Sequence, residues 1–305
     1  MGYLHIGNLY KERDILLFKE CFALEKIHGT SAHVSFETIT TFEFGKDEPV
    51  SSRVDLHFFN GGENRERFLA LFNQEELKSK FSALQIKNKM TVYGEAYGGK
   101  QQGMSHTYGK ELKFVAFDVQ IGESWLDVPR ADAIVKGLGL EFVHYAKVPA
   151  TIEALDVERD APSIQAVRNG IVESKPREGI VIRPLLEVVK NNGARIIAKH
   201  KGEAFQETNK ARKVLDPAQL EVLTQADAIA TEWVTPMRLA HILGKRENVQ
   251  VEQTGEIIGE MREDIKREAA GEIVWSDLVG KAIGKATAKL LHEHFMGGLK
   301  GSYRK

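Results

Sequence analysis

The chain has 305 residues with 8 prolines, 27 glycines and 42% apolar residues, enough for two ordinary domains with buried cores and too apolar for a disordered or collagen-like chain. Its 42 Lys and Arg against 43 Asp and Glu leave a net charge of -1, which excludes a coat for polyanions built on global charge, so any contact with nucleic acid has to be local. A single cysteine, Cys21, rules out an internal disulfide, and no apolar run approaches the roughly 18 residues of a membrane span, so the composition points to a soluble cytoplasmic chain in a reducing compartment.

Up to about residue 205, short apolar runs with period-two alternation are separated by glycine, asparagine and charged clusters. They predict strands at 21–27, 32–39, 54–59, 90–95, 113–120, 179–183 and 195–201. Between them, Phe68, Leu71 and Phe72 at helical spacing predict a helix over 64–78, and Pro129 opening an apolar run predicts another over 129–138. After residue 207 the period turns helical and stays so. Asp216-Pro217 caps a helix with Leu220, Leu223, Ala226, Ala230 and Trp233 on one stripe; Thr235-Pro236 opens a shorter helix that stops at Gly244. A third helix runs near 254–269, and a fourth near 276–295, capped by Ser276 and stopped by Gly297-Gly298. The domain boundary falls in the polar segment 207–216, giving a mixed domain over 1–207 and a helical one over 216–305.

Several residues in the first part carry chemistry. Glu25-Lys26-Ile27-His28-Gly29-Thr30 places a lysine at the end of an apolar strand beside a turn glycine; alone, this reads as a surface lysine. In 195–201, Lys199 and Lys201 project from one strand face, an arrangement that makes sense with an anion between them or as protection of a sheet edge. Glu178 precedes a buried-looking strand and could hold a divalent metal through oxygen. The strand at 90–95 runs into Glu95 and then a glycine-rich loop that lacks Walker A spacing. Phe117 shares a face with Val115 and Val119 and reads as core unless these segments meet in one pocket. His292 and His294, with no further ligand at zinc-type spacing, read as bystanders.

Taken in order, these segments resemble the covalent nucleotidyltransferase superfamily of polynucleotide ligases and capping enzymes. KIHGT looks like the nucleophile motif, with His28 where aspartate is usual; Arg53 falls where the family has an arginine after the second strand; YGEAYGG, VAFD, EGIVIRP and AKHK resemble the motifs that follow. The KxHG variant and the helical tail resemble ATP-dependent RNA ligases of the RNA ligase 2 type, kin to RNA-editing ligases. Ser31 departs from the asparagine common after HGT. The resemblance implies an α+β fold: an antiparallel-sheet nucleotidyltransferase domain, ATP-grasp-like, followed by a small all-α C-terminal domain for RNA-end engagement.

It also implies a mechanism of RNA repair, with ATP and Mg²⁺ or Mn²⁺ as cofactors, in which Lys26 takes AMP from ATP, passes it to an RNA 5′-phosphate, and a 3′-hydroxyl displaces it. A lysine attacks only as the free amine, and a bound metal with Lys199 and Lys201 nearby would favour that form by like-charge repulsion. The same lysines would neutralise the α-phosphate. By resemblance, Glu178 contacts the metal, Glu95 the ribose, Phe117 stacks on adenine, and Glu25, Ile27, His28 and Arg53 complete the nucleotide site. In the last predicted helix, Lys281, Lys285 and Lys289 recur every four residues; like charges at that spacing cost about 0.2–0.5 kcal/mol per pair, which an RNA partner would offset. The partners expected are RNA ends, nicked duplex or single-stranded, with no membrane, and a monomer is expected. The alternatives are a capping-type guanylyltransferase, or an RNA-end binder that has lost turnover.

Overall fold

The computed structural model describes residues 2–42, 49–205, 226–246 and 249–302. The chain divides into two compact units, Met1–Asn8 with Glu12–His200, and Leu9–Lys11 with Lys201–Lys305. The predicted boundary at 207–216 and the predicted helix start at Asp216-Pro217, with Leu220 and Leu223, lie outside the described residues.

The first unit is built on two sheets. One has four strands in the order β7-β1-β8-β9: β1 (Glu20–Lys26), β7 (Tyr145–Pro149), β8 (Gly179–Pro184) and β9 (Ala198–Lys201). The other has five in the order β3-β2-β4-β5-β6: β2 (Thr30–Phe42), β3 (Pro49–Phe59), β4 (Met90–Gly98), β5 (Leu112–Ile121) and β6 (Ser124–Trp125). β1 runs antiparallel to both β7 and β8, and every pairing in the five-stranded sheet is antiparallel. The α+β class expected from the sequence is the one found.

The predicted helix at 64–78 is two helices, α1 (Arg65–Leu69) and α2 (Gln74–Ala83), because Asn64 and Asn73 each cap one, their side chains accepting from the N–H groups of Arg67 and Glu76. α3 (Ser105–Tyr108) lies in the glycine-rich loop, and α4 (Val128–Gly137) starts where Pro129 placed it, capped by Asp127. Two further helices, α5 (Ile152–Asp160) and α6 (Ile164–Arg168), carry caps from Thr151 and Ser163. The predicted strand at 195–201 shortens to β9, since Arg195 sits in an isolated bridge with Val189 and sends its side chain into an ion network.

The main core lies on one face of the five-stranded sheet, where Phe36, Met90, Val92 and Val119 are buried with Phe81 of α2 and Val128, Ala131 and Val135 of α4. On its other face, Ser35, His33 and Ser31 lie opposite Thr91, Tyr93 and Glu95. Burial against Phe59 and Tyr93 pushes His33 down to about 4 from an ordinary 6.5. The unfolded chain therefore binds a proton that the folded chain excludes: the contribution of His33 is complete above pH 6.5 and is lost as pH falls toward 4. His33→Phe should flatten that part of the stability–pH curve in urea titrations relative to wild type.

The two sheets are tied by buried charge. Arg183 of β8 donates to Asp118 Oδ1 of β5 at 2.9 Å, while Arg195 and the Tyr3 hydroxyl donate to Oδ2, each at 2.6 Å. Glu187 accepts from both guanidinium groups, at 2.9 and 3.0 Å, and Arg195 lies 4.1 Å from the centre of the Trp125 ring. Two cations thus face two carboxylates, and burial together with the Asp118 charge pushes the Tyr3 phenol up.

The second unit packs α7 (Ala226–Trp233), α8 (Pro236–Leu243), α9 (Thr254–Glu268) and α10 (Asp277–Ser302) around Trp233, Leu239, Ile257, Met261, Ile265, Val279, Ile283 and Leu291. Thr235 caps α8 and Ser276 accepts from Val279 at the start of α10, as their types predict. α10 does not stop at Gly297-Gly298; glycine costs a helix interior only about 1 kcal/mol and does not forbid it. The tripeptide Leu9–Lys11 belongs to this unit through Tyr10, which donates to Glu272 at 3.0 Å, and Lys11, paired with the same carboxylate at 2.5 Å. Among the described residues no helix is long and apolar enough to cross a membrane.

Candidate active site

Lys26 ends β1 where it pairs with the first residue of β8, Gly179, so the two strands bring Lys26 and Glu178 together. Lys26 Nζ lies 2.9 Å from Glu178 Oε2, with the lysine side chain 21% exposed and the carboxylate fully buried. The same oxygen is 3.1 Å from Nδ1 of His28, itself nearly buried. Glu178 therefore holds the partly accessible amine of Lys26 in place.

The turn after Lys26 is tightly built. Gly29 donates its N–H to Glu95 Oε1 at 3.2 Å, and His28 donates its own to the Tyr108 hydroxyl at 3.3 Å. A Cβ at Gly29 would lie 2.3 Å from the Ala96 carbonyl oxygen and 2.9 Å from Glu95 Cγ, so only glycine lets the turn lie against β4. Thr30 donates to Gln101, which donates to Glu63 at 2.5 Å, a buried chain that anchors the start of β2 to the glycine-rich loop. Ser31 sits opposite Glu95, and its buried Oγ has no hydrogen-bond partner among the described residues.

Other predicted residues are placed as follows. Both oxygens of Glu25 are taken up at the start of α6, Oε1 by the Ser163 hydroxyl at 2.5 Å and Oε2 by the N–H groups of Ile164 and Gln165 at 3.0 and 3.2 Å. The Ile27 side chain is buried in the main core. Phe117 is the extra residue of a β-bulge: Tyr93 pairs with Asp118 and Gly94 with Ala116, leaving Phe117 unmatched, with its half-buried ring edge-on to Tyr3 at 4.9 Å. Partly buried, Phe117 also packs against the core that holds Val115 and Val119. Lys199 and Lys201 alternate on one face of β9, beside β8, while His200 points the other way to Asp156 of α5 at 2.6 Å. Arg53 stands on edge strand β3 with its side chain 74% exposed and paired to Asp55 at 3.2 Å. In α10, Lys281, Lys285 and Lys289 are exposed.

Among the described residues no three His, Cys, Asp or Glu side chains are grouped to hold a metal.

The family model of RNA ligases matches residues 19–201, well over half of the chain and all of the Lys26 cluster. The chain belongs to the RNA ligase family. The match takes in β1 to β9 of this RNA ligase family member, including Asp118, Tyr108 and Arg183, none of which sequence reasoning singled out. Structures of a Naegleria gruberi RNA ligase, one with ATP and manganese and one with pyrophosphate, superpose with a TM-score of 0.46 at 16% and 17% identity. Each match covers 67% of this chain and 56% or 57% of the Naegleria ligase, so the chain spans little more than half that protein's length. No curated protein sequence matches the chain.

Proposed function

We propose that the protein is an ATP-dependent RNA ligase of the RNA ligase 2 type that joins 3′-hydroxyl and 5′-phosphate RNA ends through AMP carried on Lys26. The observation that supports this most is the amine of Lys26, held at 2.9 Å by buried Glu178 at the end of β1 within the family region.

Lys26 Nζ attacks the α-phosphorus of ATP; the N–P bond forms, the bond to the β-phosphate oxygen breaks, pyrophosphate leaves, and the amine loses its proton. An oxygen of the RNA 5′-phosphate then attacks the same phosphorus, the N–P bond breaks and the amine is restored. Finally the 3′-hydroxyl oxygen attacks the RNA phosphorus, AMP departs, and the phosphodiester is closed.

Glu178 orients Nζ and is the first candidate to hold Mg²⁺ or Mn²⁺, which supplies positive charge beside the phosphates. Lys199 and Lys201 take part of the negative charge that builds on the α-phosphate. His28 shares the Glu178 oxygen and so keeps the carboxylate aimed. Glu95, already holding the Gly29 turn, and Ser31 beside it face the ribose; the bulge at Phe117 offers its ring to adenine. Glu25 contributes by locking α6 against β1, and Arg53, exposed on β3, by meeting RNA phosphate. Residues 1–207 carry the adenylyl chemistry and 216–305 engage RNA through Lys281, Lys285 and Lys289.

The test is incubation with labelled ATP, GTP or NAD and Mg²⁺, followed by denaturation. Label should remain on the polypeptide from ATP alone; retention from GTP would favour capping-type chemistry, and no retention from any nucleotide would leave a binding protein.

A further inference from the structure

Lys26 is reached from both sides by one run of hydrogen bonds drawn from distant parts of the first unit. On the side before it, both carboxylate oxygens of Glu25 are taken up at the start of α6 by Ser163, Ile164 and Gln165. The buried Gln165 side chain donates onward to the Tyr97 hydroxyl at 2.8 Å, and Tyr97 donates to Asn169 Oδ1 at 3.4 Å. Lys113 Nζ donates to the same Oδ1 at 3.0 Å, which turns Nδ2 of the amide toward the Tyr108 carbonyl oxygen, 2.9 Å away. The Tyr108 hydroxyl then receives the His28 N–H at 3.3 Å. Glu25 stands one residue before Lys26 and His28 two after it, so the run begins and ends on the flanks of the amine.

Tyr108 is where this run meets the amine's own partner. His28, whose N–H it receives, also places Nδ1 3.1 Å from Glu178 Oε2, the oxygen that lies 2.9 Å from Lys26 Nζ. A shift of the His28 backbone is thus passed to the carboxylate that aims the lysine. The Tyr108 ring is fixed in turn, 2% exposed and edge-on to Tyr97 at 5.3 Å. Burial, with Glu178, Glu25 and Glu95 nearby, pushes its phenol up, so the hydroxyl stays neutral and adds no charge beside the phosphates.

We infer that Tyr108 is a positioning residue for the nucleophile, holding the turn at His28 so that Glu178 presents the Lys26 amine for attack, and that Asn169 acts through Tyr108. The role depends on the reading of Lys26 as the carrier of AMP; the linkage itself rests on the geometry of the first unit.

The amine reacts in the first two steps and not in the last, so displacing it should slow only those. Tyr108→Phe keeps the ring and removes the hydroxyl; with the full chain, adenylylation at saturating ATP should fall on the order of tenfold while the half-saturating ATP concentration is unchanged. Sealing of RNA supplied already adenylated should proceed at the wild-type rate. Asn169→Ala should give a smaller loss in the same step and add nothing to Tyr108→Phe in the double variant. A second readout needs no nucleotide: acetylation of Lys26 by acetic anhydride, followed by mass spectrometry against exposed Lys281. With the amine loosened from Glu178, its charged form is less favoured, and acetylation should rise on the order of threefold in Tyr108→Phe. Equal losses in adenylylation and sealing, or wild-type adenylylation with unchanged acetylation, would overturn the role of Tyr108 and leave the ligase reading standing. A wild-type chain that takes no label from ATP, but whose Lys26 acetylation rises in Tyr108→Phe, keeps the linkage and loses the ligase reading.

Discussion

Lys26→Ala should abolish retention of labelled AMP and lower the joining of 5′-phosphate RNA on the order of 10⁴-fold or more, the scale of losing a covalent nucleophile. The same variant should still seal RNA supplied with its 5′ end already adenylated, because the last step forms its bond between two RNA groups and does not use the amine. That split separates a nucleophile from a residue that merely supports the fold. Glu178 Oε2, 2.9 Å from Nζ, keeps His28 Nδ1 at 3.1 Å when the lysine is removed, and a melting curve of the variant checks that the fold is kept. Equal loss with adenylated and unadenylated RNA would mean that Lys26 has another role.

The second large effect is on stability. Asp118→Ala should cost about 3–5 kcal/mol, the usual penalty for breaking a buried ion pair from one side, because Arg183, 1% exposed, and Arg195, 4% exposed, would be left with Glu187 alone to answer two buried cations. For a unit of this size that corresponds to a fall in melting temperature of roughly 10 °C. Adding Arg183→Met removes one of the stranded cations and should recover part of the loss, visible as a coupling of about 1 kcal/mol or more in a double-mutant cycle. A single Asp118→Ala variant that melts with the wild type would show that the link between β5 and β8 does not carry the stability assigned to it.

What could be read from sequence follows what is local. The short apolar runs of β1, β4 and β5 were legible, although β1 is buried along both faces, as were helix starts marked by Pro129, Thr235 and Ser276. β7 was not, because its alternate positions are only half-buried at best and leave no pattern. The break between α1 and α2 turned on one asparagine cap inside an otherwise helical run. Lys26 and Glu178 were legible as motif residues, but their contact spans 152 positions of sequence and exists only because β1 and β8 pair.

Residues whose importance depends on a partner from far along the chain stayed hidden. Tyr108 sits in a polar loop and matters because its hydroxyl meets the His28 N–H. Asp118 and Arg183 looked like ordinary strand charges until the two sheets faced each other. Phe117 packs against the core that holds Val115 and Val119, as its spacing suggests, but the bulge at Tyr93 and Gly94 that leaves it unmatched has no signature in the sequence. Glu25, adjacent to the nucleophile in sequence, turned out to cap α6, a helix that had left no signal of its own.

The most direct measurement is to incubate the chain with ATP and Mg²⁺, digest it under conditions that preserve a phosphorus–nitrogen bond, and locate any adenylyl group by mass spectrometry. One adenylyl group per chain, on Lys26 and absent when GTP replaces ATP, is the expected result. An adduct on another residue, or none while RNA is nonetheless joined, would contradict the role given to Lys26.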